Sequence, residues 1–198
     1  MLQLILATKN SGKIKEVKNI FSNTGFEITS LLDLNSKLDI EENEETFEGN
    51  AIRKAEEVFI KYKIPVLADD SGIETEQLNG IPGVYSARYA GENATDEENN
   101  QKLLDELRKY PEPHAAKYVC CAVYYDGKNF ITEFGEIKGK IIMYGRGTNG
   151  FGYDPLFVPD GYNKTMAELP PEVKNNISHR GQAFNKLKKK ITIFKEII

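Results

Sequence analysis

Histidine and cysteine are scarce in this chain, and neither charge nor apolar character is concentrated in one long run. Only two histidines occur in 198 residues, His114 and His179. A zinc site of the HExxH kind needs two on one helical turn, and a Ser-His-Asp triad needs one to spare. Both chemistries therefore have little material. Any metal is expected to be held by oxygen, as Mg2+ is. The two cysteines, Cys120 and Cys121, are neighbours in a stretch that reads as a strand, so their side chains point to opposite faces. That excludes a mutual disulfide and a shared metal, and leaves two small buried hydrophobes. No apolar run approaches the roughly 18 residues of a membrane span. No basic-then-apolar segment follows Met1, so the expectation is a soluble cytoplasmic protein with no membrane partner. Lys and Arg number 26 against 30 Asp and Glu, a net charge of −4. That balance argues against a chain that coats nucleic acid.

What is present alternates between strand and helix signals, which points to an α/β fold. "LQLILA" reads as a first strand, followed by "IKEVKNIF", where Ile14, Val17 and Phe21 recur at helical spacing. Phe26 to Ser30 reads as a second strand. Beyond an acidic segment, Phe47, Ala51, Ala55, Val58 and Tyr62 mark one face of a second helix. Pro65 and an apolar "VLA" then lead to "DDSGIE", read as a turn at a strand exit that is suited to a cation. Thr95-x-x-Glu98 forms a capping box ahead of Leu103, Leu104 and Leu107. Asp126-Gly127 closes a β-hairpin, and Gln182 to Ile198 reads as a basic amphipathic helix with Phe184, Leu187, Ile191 and Phe194 buried. The whole chain, 1–198, is expected to be a single domain with two lobes.

Several segments have residues suited to phosphate chemistry. "ATKNSGK" lies between a strand and a helix, where free backbone N–H groups and the helix dipole favour an anion. It departs from a P-loop at both ends, with Ala7 in place of the first glycine and Ile14 where Ser or Thr would hold Mg2+. A polar turn with a surface lysine remains the plainer alternative. "GRGTNG" matches G-x-G-x-x-G formally, but Phe151-Gly152-Tyr153-Asp154-Pro155 cannot open a helix, so it is not a dinucleotide fingerprint. It reads instead as a flexible loop presenting two aromatics, for stacking on a base or for plugging the core. Lys174, Ser178, His179 and Arg180 precede or open the last helix, where their donors suit a carbonyl or a phosphate. Asn50 and Lys54 share a helix face behind Glu41 and Glu42.

Taken together, "ATKNSGK", "EETFEGNAIRKA", "LADDSGIE", "GIPGVYSARYAG", "GTNGFGYDPLF" and "ISHRGQA" closely resemble the Ham1 / inosine triphosphate pyrophosphatase family, from Ala7 to Ala183. The resemblance implies a mixed, twisted sheet flanked by helices, with two lobes around a nucleotide cleft. It implies Mg2+-dependent hydrolysis of ITP, dITP and XTP to the monophosphate and pyrophosphate, by a homodimer. On the same ground, Thr8, Lys9, Asn10, Ser11, Gly12 and Lys13 would bind the phosphates together with Lys54. Asp70 would be general base and metal ligand, with Glu41 the second acidic ligand. Ser71 would contact substrate. Phe151, Gly152, Tyr153, Asp154, Lys174, His179 and Arg180 would surround the base. Asp69, pointing the other way if the strand persists, would support the loop.

The chemistry agrees with that expectation. Hypoxanthine and xanthine offer an acceptor at position 6 that cationic or N–H donors satisfy, whereas adenine sets donor against donor. Each unpaired buried donor costs about 1–3 kcal/mol. Two other readings use the same parts: a pyrophosphatase for modified pyrimidine triphosphates, and a nucleotide sensor without turnover. Product analysis separates all three.

Overall fold

The first strand ends in a continuous apolar run, Leu4 to Leu6, all of it buried, and the sheet is built outward from it. The structure is a computed structural model that describes residues 2–197, with side chains as far as residue 193. In chain order the elements are β1 (Leu2–Leu6), α1 (Ser11–Ile20), β2 (Phe26–Ser30), α2 (Phe47–Tyr62), β3 (Val66–Thr75), α3 (Asp96–Leu107), β4 (His114–Tyr125), β5 (Phe130–Ile141), β6 (Phe157–Pro159), α4 (Pro171–Ile177) and α5 (His179–Ile197). Three short 3-10 segments join them, over Glu76–Leu78, Gly83–Arg88 and Met166–Glu168. The sheet has six strands in the order β2-β1-β3-β4-β5-β6. It is mixed, because β1 pairs in parallel with β2 and β3 while β5 and β6 run antiparallel. This is the α/β architecture expected from the alternating pattern.

The chain divides into two compact units, one of Met1–Asp70, Cys120–Gly135 and Arg180–Ile198, the other of Ser71–Val119 and Glu136–His179. Strands β3, β4 and β5 contribute residues to both. In the first unit Leu4, Leu6, Leu67, Cys120 and Ala122 from the sheet pack with Ile14 and Val17 of α1 and with Ala183, Phe184, Leu187 and Ile191 of α5. The expected apolar stripe on the last helix is present, though it starts three residues earlier, at His179. Phe194 lies outside the described side chains. Helix α2 buries Phe47, Ala51, Ala55 and Val58 as its spacing predicted, and Phe59 meets the Tyr125 ring edge-on.

In the second unit Ile73, Tyr118, Ile141 and Phe157 form a core with Leu103, Leu104 and Leu107 of α3 and with Met166 and Leu169. The capping box is present: the Thr95 hydroxyl accepts from Glu98 N, and the Glu98 carboxylate accepts from Thr95 N at 2.8 Å. The hairpin turn spans four residues rather than two. Asp126 holds it by accepting from the backbone N–H groups of Lys128 and Asn129.

Candidate functional site

The two acids of "DDSG" do not sit in a turn. Strand β3 runs straight through them to Thr75, so the expectation of a strand exit is corrected. Extended backbone alternates side chains between faces, and that alternation sends Asp69 and Asp70 opposite ways. Asp69 meets α1 and α5: its Oδ2 lies 3.0 Å from Lys13 Nζ and 3.2 Å from Arg180 Nε. Asp70 meets α2, accepting from Asn50 Nδ2 at 3.0 Å and lying 3.4 Å from Lys54 Nζ. The cysteines alternate likewise, and both are fully buried. Cys120 lies 3.9 Å from Asp69 Oδ2 on the first face.

Two buried carboxylates in adjacent positions need separate compensation, because an unpaired charge in a core is expensive. Burial alone would push the Asp69 carboxyl up, but Lys13 and Arg180 outweigh it and hold the group well below the usual carboxylate range. Asp70 goes the other way. Burial raises its carboxyl above the ordinary value, Glu42 adds to the rise, and Lys54 and Lys13 offset it only in part. Environments that drive a pair of acids apart in this way assign them different tasks, one fixed as an anion and one able to exchange a proton.

Around this pair the first unit gathers most of the residues expected to handle phosphate. Helix α1 begins at Ser11 because Asn10 caps it, its side chain accepting from Lys13 N at 3.0 Å, while the Thr8 hydroxyl accepts from Asn10 N. Helix starts leave N–H groups without intrahelical partners, and Ser11 and Gly12 occupy those positions here. Lys9, Asn10 and Ser11 are exposed. Lys54, on α2, is almost fully buried between Asp70 and Glu42, at 3.1 Å from the latter. Burial would lower its ammonium, but the two carboxylates raise it above its usual value.

Glu41, expected as the second acidic ligand, is turned outward. Its side chain is 76% exposed and pairs loosely with Arg53 at 3.7 Å. The neighbouring Glu42 takes the inner place, its carboxyl held low by Lys54 and Lys13 against the effect of burial. Among the described residues no group of three or more His, Cys, Asp or Glu side chains is arranged to hold a metal ion. Mg2+ does not need one, since it is commonly held by one or two carboxylates together with substrate phosphates. Asp70 fits that role: it is a hard oxygen donor in a setting that disfavours its anion, and a cation there would relieve the cost.

Arg180 was expected beside the base. Its guanidinium is 2% exposed, bonded to Glu16 Oε2 at 2.8 Å as well as to Asp69, and those two acids raise it further above its usual value against burial. Glu16 has no local signal in the sequence: it stands on the buried face of α1, and its partner lies near the other end of the chain.

The second unit holds the remaining candidates. Residues 151–154 form a tight turn in which Asp154 Oδ2 accepts from Phe151 N at 2.8 Å and pairs with Lys174 Nζ. That ammonium also lies over the Phe151 ring, 4.9 Å from its centre. Gly150 has φ +81°, and a Cβ there would come within 2.1 Å of the Asp154 carboxylate. The two aromatics divide. Phe151 is half-buried, whereas Tyr153 is 4% exposed and donates from its hydroxyl to Ser86 O at 2.8 Å. Tyr153 therefore plugs the core and does not offer a free face for stacking, which corrects half of the expectation. His179 is buried, stacked on Tyr118 at 4.5 Å with rings nearly parallel. Ser71 is half-buried in β3 immediately after Asp70. Ser86, which no sequence motif singles out, accepts from Ile73 N at 2.9 Å and so ties the segment 83–88 to that strand.

Known proteins share this sequence and architecture over nearly its full length. The model of the Ham1 family matches residues 4–190. The chain is 47% identical over 190 residues to a dITP/XTP pyrophosphatase of Geobacter sulfurreducens, covering 95% of this chain and 96% of the relative. It is 47% identical over 195 residues to a protein of that name from Aquifex aeolicus, covering 94% and 95%. Among solved structures, a HAM1 protein from Coxiella burnetii superposes with a TM-score of 0.87 at 39% identity, covering 97% of this chain and 99% of that one. The Staphylococcus aureus Ham1 protein gives a TM-score of 0.84 at 40% identity, over 96% and 98% of the two chains. Sequence, superposition and the matched length agree, and the chain belongs to the Ham1 family.

Proposed function

We propose that the protein hydrolyses the non-standard purine nucleoside triphosphates dITP, XTP and ITP to the monophosphate and pyrophosphate, with Mg2+ as cofactor. The observation that carries the reading is Asp70: a buried carboxyl with a raised proton affinity, held by Asn50 and flanked by Lys54. The names of the relatives, dITP/XTP pyrophosphatase, supply the substrate class.

Cleavage between the α- and β-phosphates needs an oriented water, a base for its proton and positive charge against the phosphates. Asp70 takes the proton from the attacking water, and Asn50 fixes the carboxylate plane. Lys54, Lys13 and the start of α1 bind the phosphate oxygens. Asp70, with Glu42 as the inward-facing neighbour, would hold Mg2+, and Glu41 joins only if its exposed side chain turns. The ion, when bound, supplies further positive charge to the phosphates. On the base side, Phe151 offers the stacking face and Lys174 a donor for the position 6 oxygen. The amino group of adenine would leave that donor opposed. The family resemblance also underlies the reading that the protein acts as a homodimer in the cytoplasm, which light scattering on the purified protein tests for assembly.

The decisive assay incubates the protein with dITP, XTP, ITP and the four common triphosphates plus Mg2+, and identifies the products. Pyrophosphate and a monophosphate from the first three are expected. Orthophosphate release, or equal turnover of ATP, overturns the reading.

A further inference from the structure

The turn that carries Phe151 and Asp154 is held from outside by helix α3. Gly152 sits at its centre with φ +62°, a left-handed conformation that glycine adopts readily and also leaves readily. Its backbone N–H donates to Asp96 Oδ2 at 2.6 Å, and its carbonyl accepts from Asn100 Nδ2 at 3.1 Å. Asp96 and Asn100 are one helical turn apart, so both side chains leave the same face of α3. Every polar group of the Gly152 backbone is therefore bound by one pair of residues 56 and 52 positions away.

The anchor is itself rigid. The Thr95–Glu98 capping box fixes the first turn of α3, where Asp96 stands. Asn99, between the two clamping residues, accepts from Ala90 N at 2.8 Å and donates to Ala87 O at 3.1 Å. Those bonds pin the segment that in turn receives the Tyr153 hydroxyl at Ser86. Leu103, Leu104 and Leu107 seat the helix in its core. Asp96 itself is exposed and Asn100 half-buried, so neither contributes much to that core.

We infer that Asp96 and Asn100 are positioning residues for base recognition, clamping the Gly152 backbone so that the Phe151–Asp154 turn is preformed. The inference rests on the base-binding role proposed above for that turn. Both side chains hold the turn at the Gly152 backbone and act through that glycine on the Phe151 ring and the Lys174 donor. A glycine-centred turn left unclamped samples other conformations, and a ligand must then meet the ordering cost on binding. The consequence falls on KM and on base selectivity, because the groups assigned to proton transfer and phosphate charge are elsewhere in the chain.

The test compares Asp96→Ala, Asn100→Ala and Asp96→Asn with Gln101→Ala, a control on the same helix whose amide donates to Asp105. Each alanine variant of the clamp is expected to raise KM for dITP by about five- to tenfold, the effect of one lost hydrogen bond. Its kcat should stay within about twofold, and its affinity for dIMP by calorimetry should fall by the same factor as KM rises. Preference for dITP over dATP should shrink, and exchange of the Gly152 amide proton should quicken. Asp96→Asn keeps a carbonyl acceptor for Gly152 N–H and should recover most of the loss; Gln101→Ala should match the unaltered protein. Unchanged KM and dIMP affinity in both alanine variants would overturn the inference. So would parallel losses of kcat and melting temperature, which mark a merely structural role. If the unaltered protein releases no pyrophosphate from dITP or XTP, the parent reading fails instead, and the two failures are distinct.

Discussion

Asp69→Ala is the sharpest test of how the paired acids are stabilised. The Asp69 side chain has no exposure and is compensated by two cations. Removing one partner of a buried ion pair typically costs about 3–5 kcal/mol, because the other charge is left uncompensated. Here the cost is moderated. Lys13 is 15% exposed and can turn to water, and Arg180 keeps Glu16 at 2.8 Å. The lower end, about 3 kcal/mol, is therefore expected. For a chain of this length that corresponds to a fall in Tm of roughly 6–12 °C. The pH dependence has a definite sign. The native carboxyl is held below its unfolded value of 3.8, so its contribution is fully present above that value and is lost as pH falls below it. Urea unfolding of both proteins between pH 8 and pH 4 should show a constant gap down to about pH 5 and a narrowing one below. A gap under about 1 kcal/mol, or one that widens on acidification, would refute the account of Asp69 as an ionised, doubly paired group.

Four further outcomes follow from other contacts. Asp70→Asn should keep nucleotide affinity and lose about 10²–10⁴-fold in kcat, since the amide keeps a bond to Asn50 but takes no proton. In the metal-free protein the Asp70 carboxyl should titrate above the ordinary carboxylate value when followed by NMR of its side-chain carbon, because burial disfavours its anion; a midpoint at or below 3.8 contradicts the assignment. Arg180→Met leaves Asp69 and Glu16 buried near each other with one cation fewer, so its destabilisation should be larger at pH 8 than at pH 5, where the acids can protonate. Gly147→Ala places a Cβ 2.3 Å from the Ala167 backbone at φ +84°, and a melting curve should show a loss of about 1–3 kcal/mol.

The parts of this fold that sequence made legible are those where one local rule decides. Helix α2 shows its buried face by spacing alone, β2 has the bounds its Phe26–Ser30 stretch suggests, and adjacent Cys120 and Cys121 must alternate if the strand exists. The parts that stayed hidden depend on distant partners. Asp-Ser-Gly has turn chemistry, so a strand through it is visible only once Lys13, Arg180, Asn50 and Lys54 are known to pair with the acids on each face. Glu16 is 164 residues from Arg180, and no local pattern joins them. Tyr153 reads equally as a ring for stacking or as a plug for the core, until Ser86 accepts from its hydroxyl. Glu41 and Glu42 are equivalent in sequence, and which one turns inward is decided by Lys54 on another element.

The continuation of β3 through the acids has a chemical consequence that a turn would not give. In a turn the two carboxylates would share one solvated region and titrate much alike. In a strand the period of two separates them by the thickness of the sheet backbone, so Asp69 touches Lys13 and Arg180 while Asp70 touches Asn50 and Lys54. Arg180 and Lys13 hold Asp69 as a permanent anion, while burial keeps the Asp70 carboxyl raised because Lys54 and Lys13 offset it only in part. Lys13 thereby gains a fixed anchor at 3.0 Å beside the start of α1, which restrains the cation proposed to meet the phosphates. One strand thus supplies both the proton acceptor and the counter-charge that organises the phosphate loop, and the division depends on the backbone staying extended from Val66 to Thr75.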